Sequence, residues 1–351
     1  MANITAKQVA DLRAKTGLGM MDCKKALVEA EGDVEKAVKI LREKGLATAE
    51  KKAGRVAAEG RVDIMTKNGV TAMVEVNSET DFAAKSDAFK AFVTGLLETI
   101  IANKPANVAE LMELPFVGGT ENVQKTLVEQ IAIIKENITI RRFVIVEGIT
   151  SSYIHGMGGT GVVVKFETNV ADKAGFAEYA KNIALQIAAG NPPQYVNIED
   201  VPAEAVAEEK AVLIAQMKND PKNANKPDQI LEKIVSGRLG KFYERVCLVE
   251  QGYVKEDSMT VGAYTKVTAK ELGGDIKIVS FVLYEKGEGI AFSAKVFHCL
   301  MESTYTGKQV NKSKFRHFSV VPPFLCCLIY YHNNRQKSSQ YQKSYLYIFN
   351  W

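Results

Sequence analysis

The run FKAFVTGLLETIIANKP, Phe89 to Pro105, has a counterpart in the same chain, FAEYAKNIALQIAAGNP, Phe176 to Pro192. Phe89, Phe92, Ile100, Ala102 and Pro105 match Phe176, Tyr179, Ile187, Ala189 and Pro192, each 87 residues later. Upstream, Glu79-Thr80-Asp81 matches Glu167-Thr168-Asn169 at an offset of 88; downstream, Arg142, Val146 and Glu147 match Arg245, Val249 and Glu250 at 103. The step from 87 to 103 implies 16 residues inserted in the second copy. Phe89, Phe92, Val93, Leu96, Leu97, Ile100 and Ile101 follow the i, i+3, i+4, i+7 spacing of a helix with one buried face. Val70 to Val76 before it, and Ile138 to Val146 after a helix at Glu121 to Asn137, read as strands. The second copy reads as a strand at Val162 to Phe166, a helix carrying Phe176, Tyr179, Ile183 and Ile187, then strands at Val246 to Val249 and Lys277 to Tyr284. The duplication predicts an α+β fold of two related subdomains with antiparallel sheets, residues 62–149 and 150–289.

The flanks are helical. Thr5 and Gln8 form a capping-box pattern, Gly17-Leu18-Gly19 breaks the first helix, Met20 to Ala30 makes a second, and Val34 to Lys44 a third that stops at Gly45. Such short helices are marginal alone, so Val9, Leu12, Leu27, Val34, Val38 and Leu41 are expected to pack a three-helix module within residues 1–45. Residues 46–61, rich in Ala, Lys and Glu, read as a linker. Within the second copy, Glu204 to Lys218 and Asp228 to Val235 flank a turn-rich stretch. Stripes of Val206, Leu213 and Met217 and of Ile230, Leu231, Ile234 and Val235 predict an antiparallel helical hairpin inserted at about 198–236.

The 351 residues suit two or three domains, and 46% hydrophobic with 25% charged residues excludes a largely disordered chain. Lys7, Asp11, Arg13 and Lys15 interrupt the first twenty residues, which excludes a secretory signal. The longest near-apolar run, Val320 to Tyr331, is too short to span a bilayer. These features predict a soluble cytoplasmic protein with no membrane partner. Net charge is +4, but residues 290–351 hold eight Lys/Arg and one acid, leaving 37 Lys/Arg against 40 Asp/Glu before them. A mildly acidic body argues against direct nucleic-acid binding, which needs clustered cations. Cys23 and Cys247 stand at no metal or redox spacing.

Gly156-Met157-Gly158-Gly159-Thr160-Gly161 formally matches a dinucleotide fingerprint, yet Val162 to Phe166 continues it as a strand where a helix is required. It reads as a turn entering a strand, and no cofactor, metal or small-molecule substrate is expected. His155 is the only histidine before residue 290; alone it makes no triad or metal cluster. Thr80-Asp81-Phe82-Ala83-Ala84-Lys85 sits between a strand and a helix and admits two readings. Thr80 or Asp81 caps the helix while Phe82 packs on its first turn, or Phe82 is an anchor for a partner. Met20-Met21-Asp22-Cys23-Lys24-Lys25 poses the same choice, since adjacent methionines cannot both face one narrow stripe and one of them is expected at the surface.

TGLGMMDCKKAL (Thr16 to Leu27), EVNSETDFAAK (Glu75 to Lys85), ENITIRRF (Glu136 to Phe143) and SSYIHG (Ser151 to Gly156) together resemble the elongation factor Ts family of bacteria and organelles, in consistent order from residue 1 to about Gly289. The resemblance implies a ubiquitin-associated-type N-terminal module, two core subdomains and an inserted hairpin. It also implies guanine nucleotide exchange on elongation factor Tu, without covalent catalysis. By the same resemblance Asp81 and Phe82, within Thr80 to Lys85, form a wedge against the partner's magnesium and phosphate region. Arg13, Met20, Met21 and Lys24 contact its GTPase domain; His155 matches a family histidine that touches the partner, and the hairpin, at Ile234, Val235 and Arg238, adds further contact. Gly159-Thr160 departs from the Arg-Ile usual there.

From Ile290 the sequence is unlike the family. Its 62 residues hold three of four His, three of five Cys, six of thirteen Tyr and the only Trp. That shift reads as a frameshift, fusion or unrelated translated sequence, ahead of a genuine binding extension, and predicts a poorly ordered tail. The alternative function is an RNA- or ribosome-binding protein using this basic tail.

Overall fold

The computed structural model describes residues 4–189, 191–219 and 228–290. The tail beyond 290 and the turn-rich stretch at 220–227 lie outside the described residues. Helices α1 (Ala6–Thr16), α2 (Met20–Glu29) and α3 (Val34–Lys52) enclose Val9, Leu12, Cys23, Ala26, Leu27, Ala37 and Leu41. Thr5 and Gln8 exchange the capping-box bonds, and Gly17 ends α1 at φ 69°, a left-handed conformation suited to glycine. Val34, expected in this core, is exposed. Helix α3 does not stop at Gly45: it runs to Lys52, with Gly45 buried beside Val128 and Ala132. Packing outweighs glycine's helix penalty of about 1 kcal/mol. Seven of the sixteen residues read as a linker are therefore helix, and Glu59 already begins a strand.

Strands β1 (Glu59–Lys67), β2 (Val70–Ser78) and β3 (Thr139–Glu147) form one antiparallel sheet in that order. Between β2 and β3 come α4 (Asp81–Lys85), α5 (Asp87–Asn103), α6 (Val108–Glu113) and α7 (Val123–Ile134). The second sheet is β4 (Ile149–His155), β5 (Thr160–Thr168) and β8 (Ile276–Glu285), again antiparallel, with α8 (Phe176–Ala188) after β5. Between α8 and β8 lie α9 (Ala203–Asn219), α10 (Asp228–Val246), the small pair β6 (Gly252–Tyr253) and β7 (Glu256–Thr260), and α11 (Val261–Leu272).

Alternation along a strand sends neighbouring side chains to opposite faces. On β2, Ala72, Val74 and Val76 join a core with Phe89, Phe92, Val93, Leu96 and Ile100 of α5, while Met73 turns to the other sheet. On β5, Val162, Val164 and Phe166 pack on Phe176, Tyr179 and Ile183 of α8, while Val163 meets Val62 and Met73. The two sheets thus pack face to face with helices outside, and both central strands are buried on both faces.

The pairing corrects the offsets of the duplication. Val76 opposes Ile140 and Phe166 opposes Ile278, each just after a register shift. The central strands therefore correspond at an offset of 90 and the closing strands, β3 and β8, at 138. Val246 to Val249 is not a strand: α10 continues to Val246 and a 3₁₀ turn spans Leu248–Glu250. A four-residue apolar run cannot by itself tell strand from helix end. With its helix at 87 and its last strand at 138, the second copy carries 51 additional residues, more than the 16 first inferred. The expected hairpin is among them, with Met217 and Val235 packed together on α9 and α10 and Arg245 reaching Glu209 at 3.4 Å. Among the described residues, no helix is long and apolar enough to cross a membrane.

Candidate functional site

Two N-caps six residues apart create the segment that carries Phe82. Thr80, extended at φ −130°, accepts from Ala83 N at 3.3 Å and starts α4; Ser86 accepts from Phe89 N at 3.3 Å and starts α5. The resulting helix is five residues long, too short to stand unaided. Its Ala83 and Ala84 are buried, and Phe82 points away with 71% of its surface exposed. Thr80 is the cap, as the local reading expected, but Phe82 does not pack on the turn. Leaving such a ring in water forgoes up to about 2 kcal/mol of burial.

The root of the segment is braced from ENITIRRF, 56 residues onward. Thr80 N donates to Glu136 Oε2 at 2.9 Å and Thr80 Oγ1 to Glu136 Oε1 at 2.6 Å. Asn137 N donates to Glu79 Oε1 at 2.7 Å, and Asn137 Nδ2 donates to Arg55 O at 2.7 Å. Ser78 Oγ donates to Thr80 O at 2.9 Å. The three bonds to the Glu136 and Glu79 carboxylates are charge-assisted and the stronger ones, so an exposed ring stands on a fixed base. Within α4, Lys85 Nζ donates to Asp81 Oδ2 at 2.6 Å. That bond, with smaller help from Lys286, holds the Asp81 carboxyl below its ordinary value, so the acid beside Phe82 is ionised at neutral pH.

On the N-terminal module, Met20 and Met21 are both exposed, at 52% and 63%, where one was expected. Both fall outside the stripe of Cys23, Ala26 and Leu27, and Arg13, Lys24 and Val28 are exposed with them. Arg42 to Glu121 at 3.1 Å and Lys135 to Asp22 at 2.9 Å tie the module to α7 and its flanks.

The glycine run is a turn between β4 and β5, with Gly156, Met157 and Gly158 all left-handed at φ 60°, 56° and 96°. His155 is exposed, and its Nδ1 lies 3.1 Å from the Tyr153 hydroxyl. Met157, read from the sequence only as part of the glycine turn, is 82% exposed and holds a backbone conformation that methionine rarely adopts. The available signal was one bulky residue set among glycines. On the hairpin, Arg238 is exposed and Ile234 half-buried, but Val235 is buried against Met217. Val235 therefore serves the hairpin's own packing and offers no surface. Among the described residues no group of three or more His, Cys, Asp or Glu is placed to hold a metal ion.

Residues 79–288 match the family model described as elongation factor TS. The chain is 44% identical over 290 residues to an elongation factor Ts of Syntrophotalea carbinolica, covering 82% of this chain and 94% of the relative. It is 49% identical over 294 residues to one of Clostridioides difficile, covering 83% and 95%. A third, of Symbiobacterium thermophilum, is 47% identical over 299 residues, covering 83% and 94%.

Proposed function

The chain belongs to the elongation factor Ts family, whose role is in translation elongation, and from that premise we propose that it promotes GDP release from elongation factor Tu by inserting Phe82, with Asp81 beside it, into the partner's GTPase domain. The observation that carries this reading is a large aromatic left 71% exposed on a helix whose base is hydrogen-bonded in place. A preordered anchor loses little freedom on binding. Nucleotide phosphates are held by magnesium and backbone donors, so a small displacement of the elements around them removes several charge-assisted contacts together. A thousandfold faster release requires about 4 kcal/mol off the dissociation barrier. A buried aromatic hot spot contributes about 2 kcal/mol or more, and lost magnesium contacts supply the remainder. No covalent step is needed. Coupling is reciprocal, so returning nucleotide weakens the factor's grip by the same equilibrium factor and the complex turns over.

The remaining contacts supply affinity. Met20, Met21, Arg13 and Lys24 form one adaptable surface, His155 and Met157 a second, and Arg238 with Ile234 a third. The test is release of a fluorescent GDP analogue from elongation factor Tu. The full chain accelerates it, and the Asp81→Ala/Phe82→Ala chain, still bound through the other surfaces, does not. A double variant as fast as the parent would refute the wedge; silence of the parent would refute exchange.

A further inference from the structure

Glu75 is a carboxylate with no exposed surface in the middle of β2, and its bonds join both subdomains. Its Oε1 accepts from Arg141 Nη1 at 2.9 Å, Gly287 N at 2.8 Å and Asn77 Nδ2 at 3.2 Å; its Oε2 accepts from Arg142 Nε at 2.7 Å. Arg141 and Arg142 belong to β3, whereas Gly287 follows β8 of the other sheet. The same arginines hold the rest of that segment. Arg142 lies over the Tyr284 ring at 4.0 Å and donates to Glu288 Oε2 at 3.0 Å, and Arg141 Nη2 donates to Glu288 O. Gly287, at φ 73°, comes so close to Ala58 O that a side chain would collide.

Between these anchors, Lys286 faces two ways. Its N–H donates to Gly159 O at 2.8 Å, in the turn that carries His155 and Met157. Its Nζ bonds to Glu59, which pairs across the sheet with Ser78, two residues before Thr80. One strap, Tyr284 to Glu288, thus touches the His155 turn on one side and the root of the Phe82 segment on the other. Buried ion pairs are weak stabilisers beside apolar packing, and their best-attested use is to fix register.

Resting on the exchange reading above, we propose that Glu75 is a positioning residue: with Arg141 and Arg142 it clasps Tyr284 to Glu288 and so sets the spacing between the His155–Met157 turn and the Phe82 wedge. Two contacts on one partner reinforce each other only when their spacing is held. Glu75→Gln keeps the shape and removes the charge.

The test uses the full chain with tail cysteines changed to serine and nitroxide labels at Phe82→Cys and Met157→Cys, the buried Cys23 and Cys247 being left in place. The clasp predicts one narrow label-to-label distance distribution that broadens in Glu75→Gln at a temperature where circular dichroism reports both chains folded. In unlabelled chains, Glu75→Gln slows GDP release about tenfold at limiting factor, and adding His155→Ala costs clearly less than in the parent. An unchanged distribution width, or losses that multiply in full, overturns the proposal. Arg142→Lys, which loses the forked geometry and keeps the charge, repeats both readings if Glu75→Gln does not fold. A parent chain that fails to release GDP would sink the exchange reading, while the distance widths would still decide the clasp.

Discussion

After β2 the chain uses ten residues to pass from Glu79 to Phe89; after β5 it uses seven to pass from Asn169 to Phe176. The two starting points are equivalent, because Glu79 accepts from Asn137 N and Asn169 accepts from Asp275 N, each just before the closing strand. The next side chains then diverge. In the second copy Val170 turns inward with 1% exposure and joins the core of Phe166 and Phe176. In the first, three added residues make room for α4, and Phe82 stands outside. One scaffold thus supports both a sealed junction and a presented aromatic, so the fold alone does not require Phe82 to be exposed. The apparent match of Glu79-Thr80-Asp81 to Glu167-Thr168-Asn169 lies two residues out of this register.

The largest effect is expected from erasing the difference. Replacing Glu79 to Ala88 with the seven-residue junction Asn169 to Gly175 should return GDP release to its unassisted rate, a loss of about 4 kcal/mol in barrier lowering, while circular dichroism still reports a folded chain. Next, Val170→Ala should cost about 2 kcal/mol in urea unfolding; Phe82→Ala, which opens no cavity, should stay within about 0.5 kcal/mol. Equal costs would erase the distinction. Glu136→Gln weakens both bonds to Thr80 and should cost about 1 kcal/mol of stability, with GDP release several-fold slower although Phe82 is intact.

The smallest effect is in acid. Burial pushes the Glu75 carboxyl up, but bonds from Gly287 N, Arg141, Arg142 and Asn77 outweigh it and hold the group below its ordinary 4.5. Its stabilising contribution is complete above that value and is lost as pH falls through the lowered folded value. Unfolding monitored below about pH 4.5 should therefore show a shallower loss for Glu75→Gln than for the parent. Asp81, lowered mainly by Lys85, behaves the same way with less weight because it is partly exposed.

Helix α5 was legible because Phe89 to Ile101 keep one periodic face, and the duplication gave the two subdomains. Strands β1 and β4 were not: they are edge strands, half-buried, with Arg61 and Asp63 in one and Ser151-Ser152 in the other masking any alternation. Helix α11 lay within the insertion that the 103 offset hid. The exposure of Phe82 was beyond local reading, because its direction depends on two caps and on Glu136 across the fold. Met20 and Met21 were half-legible: spacing excluded burying both and left open that both are out.

The central claim is tested most directly by measuring release of a fluorescent GDP analogue from elongation factor Tu alongside urea unfolding for the parent, Phe82→Ala and Val170→Ala. The account predicts that Phe82→Ala loses at least about 30-fold in release with its unfolding midpoint unchanged, and that Val170→Ala loses stability with release intact when assayed folded. Parental acceleration by Phe82→Ala, or no acceleration by the parent itself, would contradict it.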